Sequence, residues 1–194
     1  MKKLLSLLTL IIALQFNTAT AQQQFIVNGV EIPRTLEFKG KTMSLNGVGQ
    51  RSKFWTELYV QALYLTILSE DAKEILDSNT EMAISLHITS GLISSKKLSK
   101  ALAKGMEKSV GEDGIQKFSK ELEELEVLLS TEETKTGDVF ELTFNPLDES
   151  LWITKNKDYK GKIKGYEFKK AFYGIWLSDN PVDKGLKEDL LGKY

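Results

Sequence analysis

Two polar side chains in the sequence have the types and the spacing of an anion-binding pair. Arg51 follows the glycine-rich segment 46–50 and precedes a long apolar run, and Tyr59 lies further along that run. A guanidinium at a strand end can hold a carboxylate through two parallel hydrogen bonds. A tyrosine hydroxyl can donate a further one. We therefore expect Arg51 and Tyr59 to bind the acidic end of a ligand, the alternative being that Arg51 is a surface salt-bridge partner.

The sequence offers little for other kinds of chemistry. It contains no cysteine and one histidine, His87, which excludes disulfides, iron–sulfur clusters, thiol catalysis and cysteine zinc sites. Phosphate-binding loops, nucleophile elbows and HExxH motifs are absent, and we predict no metal and no cofactor. His87 alternates with apolar residues and is predicted to face outward. A formal net charge of -1 gives no reason to expect nucleic-acid binding.

The first 21 residues have the pattern of a signal peptide. Two lysines precede an apolar stretch from Leu4 to Leu14, and small residues at Ala19 and Ala21 suit cleavage after Ala21. The stretch is too short to cross the roughly 30 Å hydrocarbon layer, although an uncleaved anchor is the alternative. No later segment is long and apolar enough to span a membrane. We therefore predict an exported protein, periplasmic or secreted, with a single domain over residues 22–194.

Arg51 and Tyr59 can act together only if the elements between them form a suitable scaffold, and the sequence predicts a strand there. Residues 54–65 are rich in aromatic and β-branched types and lack helix caps, which predicts a long strand. Tyr59 then shares one face of the strand with Gln61, Leu63 and Leu65. The glycines of segment 46–50 are predicted to form a turn that places Arg51 in front of this strand.

The remaining pattern predicts strands on both sides of a central helical block. Residues 82–88 alternate as a half-buried strand, and residues 95–109 form an amphipathic helix with Leu98, Leu102 and Met106 on one face. The other predicted elements are a short helix capped by Ser69, a helix over 115–129, a hairpin over 137–154, an edge strand over 159–164, a helix over 166–177 and a last helix begun by Asn180 and Pro181. This order favours an α+β domain whose large antiparallel sheet has helices on one face. The aromatic residues of 168–176 are predicted to pack in the core.

Two segments resemble the chalcone isomerase-like family. Residues 45–65, with LNGVGQRSKF followed by LYVQALYL, and residues 172–183, FYGIWLSDNPVD, are similar to blocks of that family, the second to its bacterial exported branch. The likeness extends over roughly residues 28–192. It implies an open-faced β-sandwich, in which a layer of helices covers a large antiparallel sheet and a ligand cleft lies between them. It also implies that Arg51 anchors the ligand, with Tyr59 at the strand position of a plant catalytic threonine.

The resemblance favours binding over catalysis. Plant chalcone isomerases also use a tyrosine and an asparagine from a later helix, and residues 91–100 of this chain contain neither. An arginine with a tyrosine on this strand is instead similar to the fatty-acid-binding branch of the family. Arginine stays protonated and the reference pKa of tyrosine is about 10, so neither is a proton acceptor near neutral pH.

We therefore expect an exported protein that binds a small amphipathic carboxylate or phenolate, such as a fatty acid, without forming flavanones. Arg51 and Tyr59 would hold the polar head, and Leu98, Leu102 and Met106 would line the helix side of the cleft. One alternative is an isomerase, an intramolecular lyase, in which Arg51 is the catalytic residue and acts electrostatically. Another is a non-catalytic structural or partner-binding protein whose cleft is filled by its own side chains.

Overall fold

The computed structural model describes residues 24–53 and 55–193. The predicted signal peptide, residues 1–21, lies outside the described residues, as does Phe54. A small hairpin, β1 (Gln24–Val27) and β2 (Val30–Pro33), begins the described part. It is followed by a seven-stranded antiparallel sheet whose strand order is the chain order: β3 (Thr35–Phe38), β4 (Lys41–Lys53), β5 (Thr56–Leu65), β6 (Met82–Ile88), β7 (Val139–Asn145), β8 (Ser150–Lys155) and β9 (Asp158–Lys164).

Helices are inserted between the strands of this meander and follow the last strand. They are α1 (Ala72–Asp77), α2 (Ser95–Val110), α3 (Glu112–Ile115), a single 3₁₀ turn (Gln116–Phe118), α4 (Ser119–Leu129), α5 (Tyr166–Leu177) and α6 (Lys184–Leu190). Within the described residues, none of these helices has the length and apolar character needed to cross a bilayer. The predicted α+β class, with helices on one face of an antiparallel sheet, is confirmed.

The two faces of β5 bury different cores, because successive side chains of a strand point to opposite faces. Leu63 and Leu65 belong to the larger core, between the sheet and the helices. Val60 and Tyr64 belong to a smaller core on the other face, which also contains Ile32 of β2. The sequence-based expectation that neither face of this strand is fully exposed is therefore confirmed.

The expected turn at the glycine-rich segment is wrong, because Gly47 and Gly49 lie within β4. A methyl group added at Gly47 would overlap the backbone carbonyl oxygens of Asp189 and Leu190 in α6, and one at Gly49 would lie 2.6 Å from Asp189 Oδ2. These glycines are required for the close approach of α6 to the sheet, not for a change of chain direction. Arg51 consequently projects from the end of a strand.

Two helix starts also differ from the prediction. Asp71, not Ser69, caps α1, since its carboxylate accepts hydrogen bonds from the backbone N–H groups of the first turn. The last helix begins at Lys184 with Asp183 as its cap. Asn180 lies three residues before this cap, and its side-chain amide donates to the carbonyl of Lys108, at 2.9 Å, which fastens the preceding loop to α2.

The substitution Gly47→Ala is expected to destabilise the fold by about 1–3 kcal/mol, because backbone atoms must move to admit the methyl group. Urea unfolding should show the loss as a lower midpoint. Gly91→Ala is the matched control: its added methyl would have Thr136 Oγ1 as its nearest neighbour, at 3.8 Å. Equal midpoints for the two variants would contradict the argument that α6 requires glycine at position 47.

Candidate ligand-binding site

A cavity of about 300 Å³ lies where the ends of β4 and β5 meet helices α2 and α5. Its volume is at the lower end of the range of about 300–1,000 Å³ found for small-molecule sites. The wall is mainly apolar, and its larger apolar side chains are Leu58, Leu98, Leu102, Ile175, Trp176 and Val182. Such a wall suits a hydrocarbon chain or a ring better than a polar ligand.

Arg51 and Tyr59 face this cavity from neighbouring strands. They are directly paired across β4 and β5, and an irregularity in the register follows Arg51. Both side chains line the cavity. The structure therefore brings together the two residues that the sequence singled out, through strand pairing rather than through a turn.

The guanidinium of Arg51 already has one anionic partner, Asp183. Nη1 donates to Asp183 Oδ2 at 2.6 Å and to the backbone oxygen of Ser52 at 3.0 Å. The two charged side chains are 22% and 27% exposed, so the ion pair remains in contact with water. Among the described residues, Nε and Nη2 of Arg51 make no hydrogen bond, so Asp183 and Ser52 use only one of the two terminal nitrogens of the guanidinium.

Asp183 has two roles at once. Its Oδ1 accepts from the backbone N–H of Leu186 and caps α6, while its Oδ2 holds Arg51. Six residues further along the chain, the carboxyl of Asp189 is partly buried, and burial together with the charges of Asp183 and Glu188 raises its pKa. The start of α6 thus fixes the orientation of the Arg51 side chain.

Tyr59 is held as a neutral hydrogen-bond donor. Trp176 Nε1 lies 3.4 Å from the hydroxyl oxygen of Tyr59 and donates to it weakly. Burial raises the pKa of Tyr59, and this effect outweighs the opposing effects of Trp176 and Arg51. The hydroxyl therefore keeps its proton at physiological pH and can donate it to a ligand oxygen.

The mouth of the cavity, by which we mean the rim around Arg51, carries further positive charge. Lys53, Lys104 and Lys108 line the cavity together with Arg51. Lys108 Nζ donates to the carbonyl oxygen of Pro181 at 2.6 Å, which ties α2 to the segment before α6. The positive side chains outnumber the one carboxylate bound to Arg51, so the mouth attracts anions.

The structure places four of the five sequence-predicted site residues on the cavity wall. Arg51, Tyr59, Leu98 and Leu102 are there. Met106 is not among the lining residues, because it is fully buried in the core between the sheet and the helices. Its four-residue spacing from Leu102 indicated the correct face of α2, but that face extends past the cavity into the core.

Sequence reasoning missed the parts played by Trp176 and Asp183. Helical spacing alone assigned Trp176 to the core, where most of its ring does lie. Asp183 is the last residue of the family-like segment 172–183, and the sequence analysis assigned it no role. Its position before a helix, as an acidic cap residue, was the one local signal that could have identified it.

The single histidine and the acidic side chains do not form a second candidate site among the residues that the structure describes. His87 lies on the opposite face of the sheet, half-buried, with Nε2 3.1 Å from Ser85 Oγ, and burial lowers its pKa to about 4. Within the described residues, no group of three or more histidine, aspartate or glutamate side chains is arranged to hold a metal ion.

Comparison with known proteins gives the family. The family model described as chalcone isomerase-like matches residues 24–192. A solved structure of a fatty-acid-binding protein from Arabidopsis thaliana is similar, with a TM-score of 0.71 and 16% identity, covering 87% of this chain and 96% of that one. At this identity the structural likeness establishes the fold alone. A search of curated protein sequences finds no match. Because the family match extends over nearly all of the described residues, the chain belongs to the chalcone isomerase-like family.

Proposed function

We propose that this protein binds a small amphipathic carboxylate, such as a fatty acid, in the cavity at Arg51. The observation that carries the proposal is the meeting of a guanidinium and a protonated phenol at one end of a mainly apolar hollow. The carboxylate would accept hydrogen bonds from Arg51 and Tyr59, and the apolar tail would lie against Leu98 and Leu102 of α2. The structural likeness to a fatty-acid-binding protein supports this choice of ligand.

The ligand head would use the edge of the guanidinium that Asp183 leaves open. Arginine has five donors in a planar fork, so it can serve two carboxylates at once. Asp183 then acts as a positioning residue that keeps Arg51 directed towards the cavity. The volume of about 300 Å³ favours a short or medium hydrocarbon chain over a long one.

Binding without chemistry is the function that the cavity supports best. Among the described residues that line it there is no histidine and no carboxylate, so no strong general base faces a ligand. An isomerase of the chalcone type would use Arg51 to stabilise an enolate oxygen. An assay for chalcone cyclisation separates the two functions, because it should show no rate above the uncatalysed reaction.

We also propose that the chain is exported, to the periplasm or outside the cell. Support comes from the lysines, the apolar stretch and the Ala19 and Ala21 positions described above. An exported protein would meet fatty acids released from envelope lipids, which agrees with the proposed ligand class.

Native mass spectrometry of the protein purified from its own source tests both proposals. We expect a chain that starts at Gln22 and carries one bound acid, released on denaturation. Calorimetric titration with decanoate and dodecanoate should show one site in protein stripped of its ligand. A stripped protein that binds neither acid would overturn the ligand proposal, and a full-length chain would overturn the export proposal.

A further inference from the structure

Two exposed apolar side chains project at the end of the sheet where the cavity opens. Trp55, in the turn between β4 and β5, is fully exposed, and Leu92, in the loop before α2, is more than half exposed. Both loops lie at the same end of the sheet, because they adjoin the neighbouring strands β5 and β6, which are joined there by the hydrogen bond from Thr89 N–H to the carbonyl oxygen of Leu58, at 3.1 Å. Moving a large apolar side chain from water into the surface of a lipid bilayer is favourable, and tryptophan is enriched at such surfaces.

A row of lysines leads from these loops past the cavity mouth. Lys97, Lys100, Lys104 and Lys108 are spaced three or four residues apart along α2, so they form one exposed basic stripe. The stripe begins beside Leu92, whose carbonyl oxygen accepts a hydrogen bond from Lys97 Nζ at 3.0 Å.

The positive charge of this region is local. Helix α2 contains five lysines and a single acid, Glu107, whereas the whole chain has a formal net charge of -1. Glu132 and Glu133, in the loop at the same end of the sheet, accept hydrogen bonds from Lys160 Nζ and the backbone N–H of Ser95 respectively. The basic stripe is therefore a concentrated feature on a slightly acidic protein.

We propose that this end of the molecule docks on an anionic lipid bilayer. Trp55 and Leu92 would enter the interfacial layer, and the basic stripe would lie on the acidic headgroups. The cavity mouth would then face the lipid from which its ligand comes, so the inference rests on the proposed function and names the source of the ligand. A protein partner fits less well, because the apolar residues stand on two separate tips instead of forming one flat patch.

Co-sedimentation with vesicles tests the docking directly. The ligand-free protein should bind phosphatidylcholine vesicles weakly and vesicles with phosphatidylglycerol strongly, and added salt should weaken the second interaction. Each lysine near an anionic surface contributes about a fivefold factor, so Lys97→Gln with Lys100→Gln should lower partitioning by roughly twenty-five-fold. Trp55→Asn should lower it by about tenfold, and asparagine tolerates the positive φ of 66° at this position.

Matched controls lie at the opposite end of the sheet. Leu147 is a highly exposed apolar residue at a hairpin tip, and Lys41 and Lys164 are exposed lysines at strand ends there. Leu147→Asn, and Lys41→Gln with Lys164→Gln, should leave vesicle binding unchanged. Equal losses in the test and control variants, or equal binding to both kinds of vesicle, would overturn the docking proposal.

Titration of a fatty acid without vesicles keeps the two proposals separate. Trp55→Asn and the Lys97, Lys100 double variant should bind the free acid as the parent does, since none of these residues lines the cavity. Arg51→Ala should lose the acid and keep its vesicle binding. A parent that binds vesicles but no acid would refute the proposed ligand and leave the docking surface standing, whereas the reverse result would refute the docking surface alone.

Discussion

The variant Arg51→Ala is expected to bind a fatty acid about 1.5–3 kcal/mol more weakly than the parent, the scale for hydrogen bonds to charged groups. This corresponds to a Kd higher by roughly ten- to 150-fold. The loss should be large because the guanidinium lines an apolar hollow and is only 22% exposed. Calorimetric titration with decanoate measures it.

Lys104→Ala is the matched control for Arg51→Ala. It also removes one positive charge from the cavity lining, but Lys104 is exposed and extends from the rim. Charges at the rim of a binding site change association rates more than affinity, so we expect a change of less than about threefold. Similar losses in both variants would show that general positive charge, rather than Arg51, holds the ligand.

A second comparison separates ligand contact from structural support, since Arg51 also pairs with Asp183. Asp183→Asn keeps a good helix cap but removes the charge that Arg51 holds. If Arg51 contacts the ligand, Arg51→Ala should still weaken binding in the Asp183→Asn background, although by less than in the parent, because Asp183 no longer positions the guanidinium. A loss that disappears in that background would refute direct contact, because Arg51 would then act only through Asp183.

Local periodicity in the sequence was sufficient to predict most of the fold. The alternation of residues 82–88 and the four-residue spacing of Leu98 and Leu102 depend only on which faces are buried, and both elements formed as expected. The turn predicted at Gly47 and Gly49 was wrong because glycine is common both in turns and where two backbone segments pack closely. Only the distant helix α6, more than 130 residues away in the chain, shows that they serve packing.

The site was predictable to the extent that it depends on neighbouring strands. Arg51 and Tyr59 are close in sequence, and a hairpin brings them into register. Asp183 reaches Arg51 through the packing of α6, and Trp176 reaches Tyr59 through the packing of α5. The spacing of residues along the sequence does not indicate these long-range contacts, so Asp183 was not predicted as the partner of Arg51.

The helix that forms one wall of the cavity depends on a buried ion pair. Lys155 Nζ lies 3.0 Å from Asp138 Oδ2, and the two side chains are 4% and 2% exposed. Lys155 Nζ also donates to the backbone oxygen of Glu133, in the loop before β7. The same loop holds the first residue of α2, because Thr134 N–H donates to Ser95 Oγ at 2.8 Å.

Lys155→Met should therefore lower the free energy of unfolding by about 3–5 kcal/mol, since it leaves a buried carboxylate without its counter-ion. Denaturant unfolding measures the loss. Lys73→Met is the matched control: Lys73 Nζ lies at the same 3.0 Å from Asp77 Oδ2 but is 89% exposed. Exposed pairs contribute about 0–1 kcal/mol, so comparable losses in the two variants would contradict the role of burial.

The pH dependence of that loss gives an independent check. Burial alone would raise the pKa of Asp138, but hydrogen bonds from Asn156, Lys135 and Lys155 outweigh it and lower the pKa below its usual value. A carboxyl whose pKa is lower in the folded state contributes stability above its unfolded pKa of about 3.9 and loses it as the pH falls through the folded value. Because Asp138 titrates alike in the two unfolded chains, the difference between parent and Lys155→Met should be largest near neutral pH and should shrink as acid protonates the folded-state carboxyl of Asp138. A difference that stays constant to pH 2 would mean that lost packing of the lysine stem, not the unpaired Asp138, destabilises the variant.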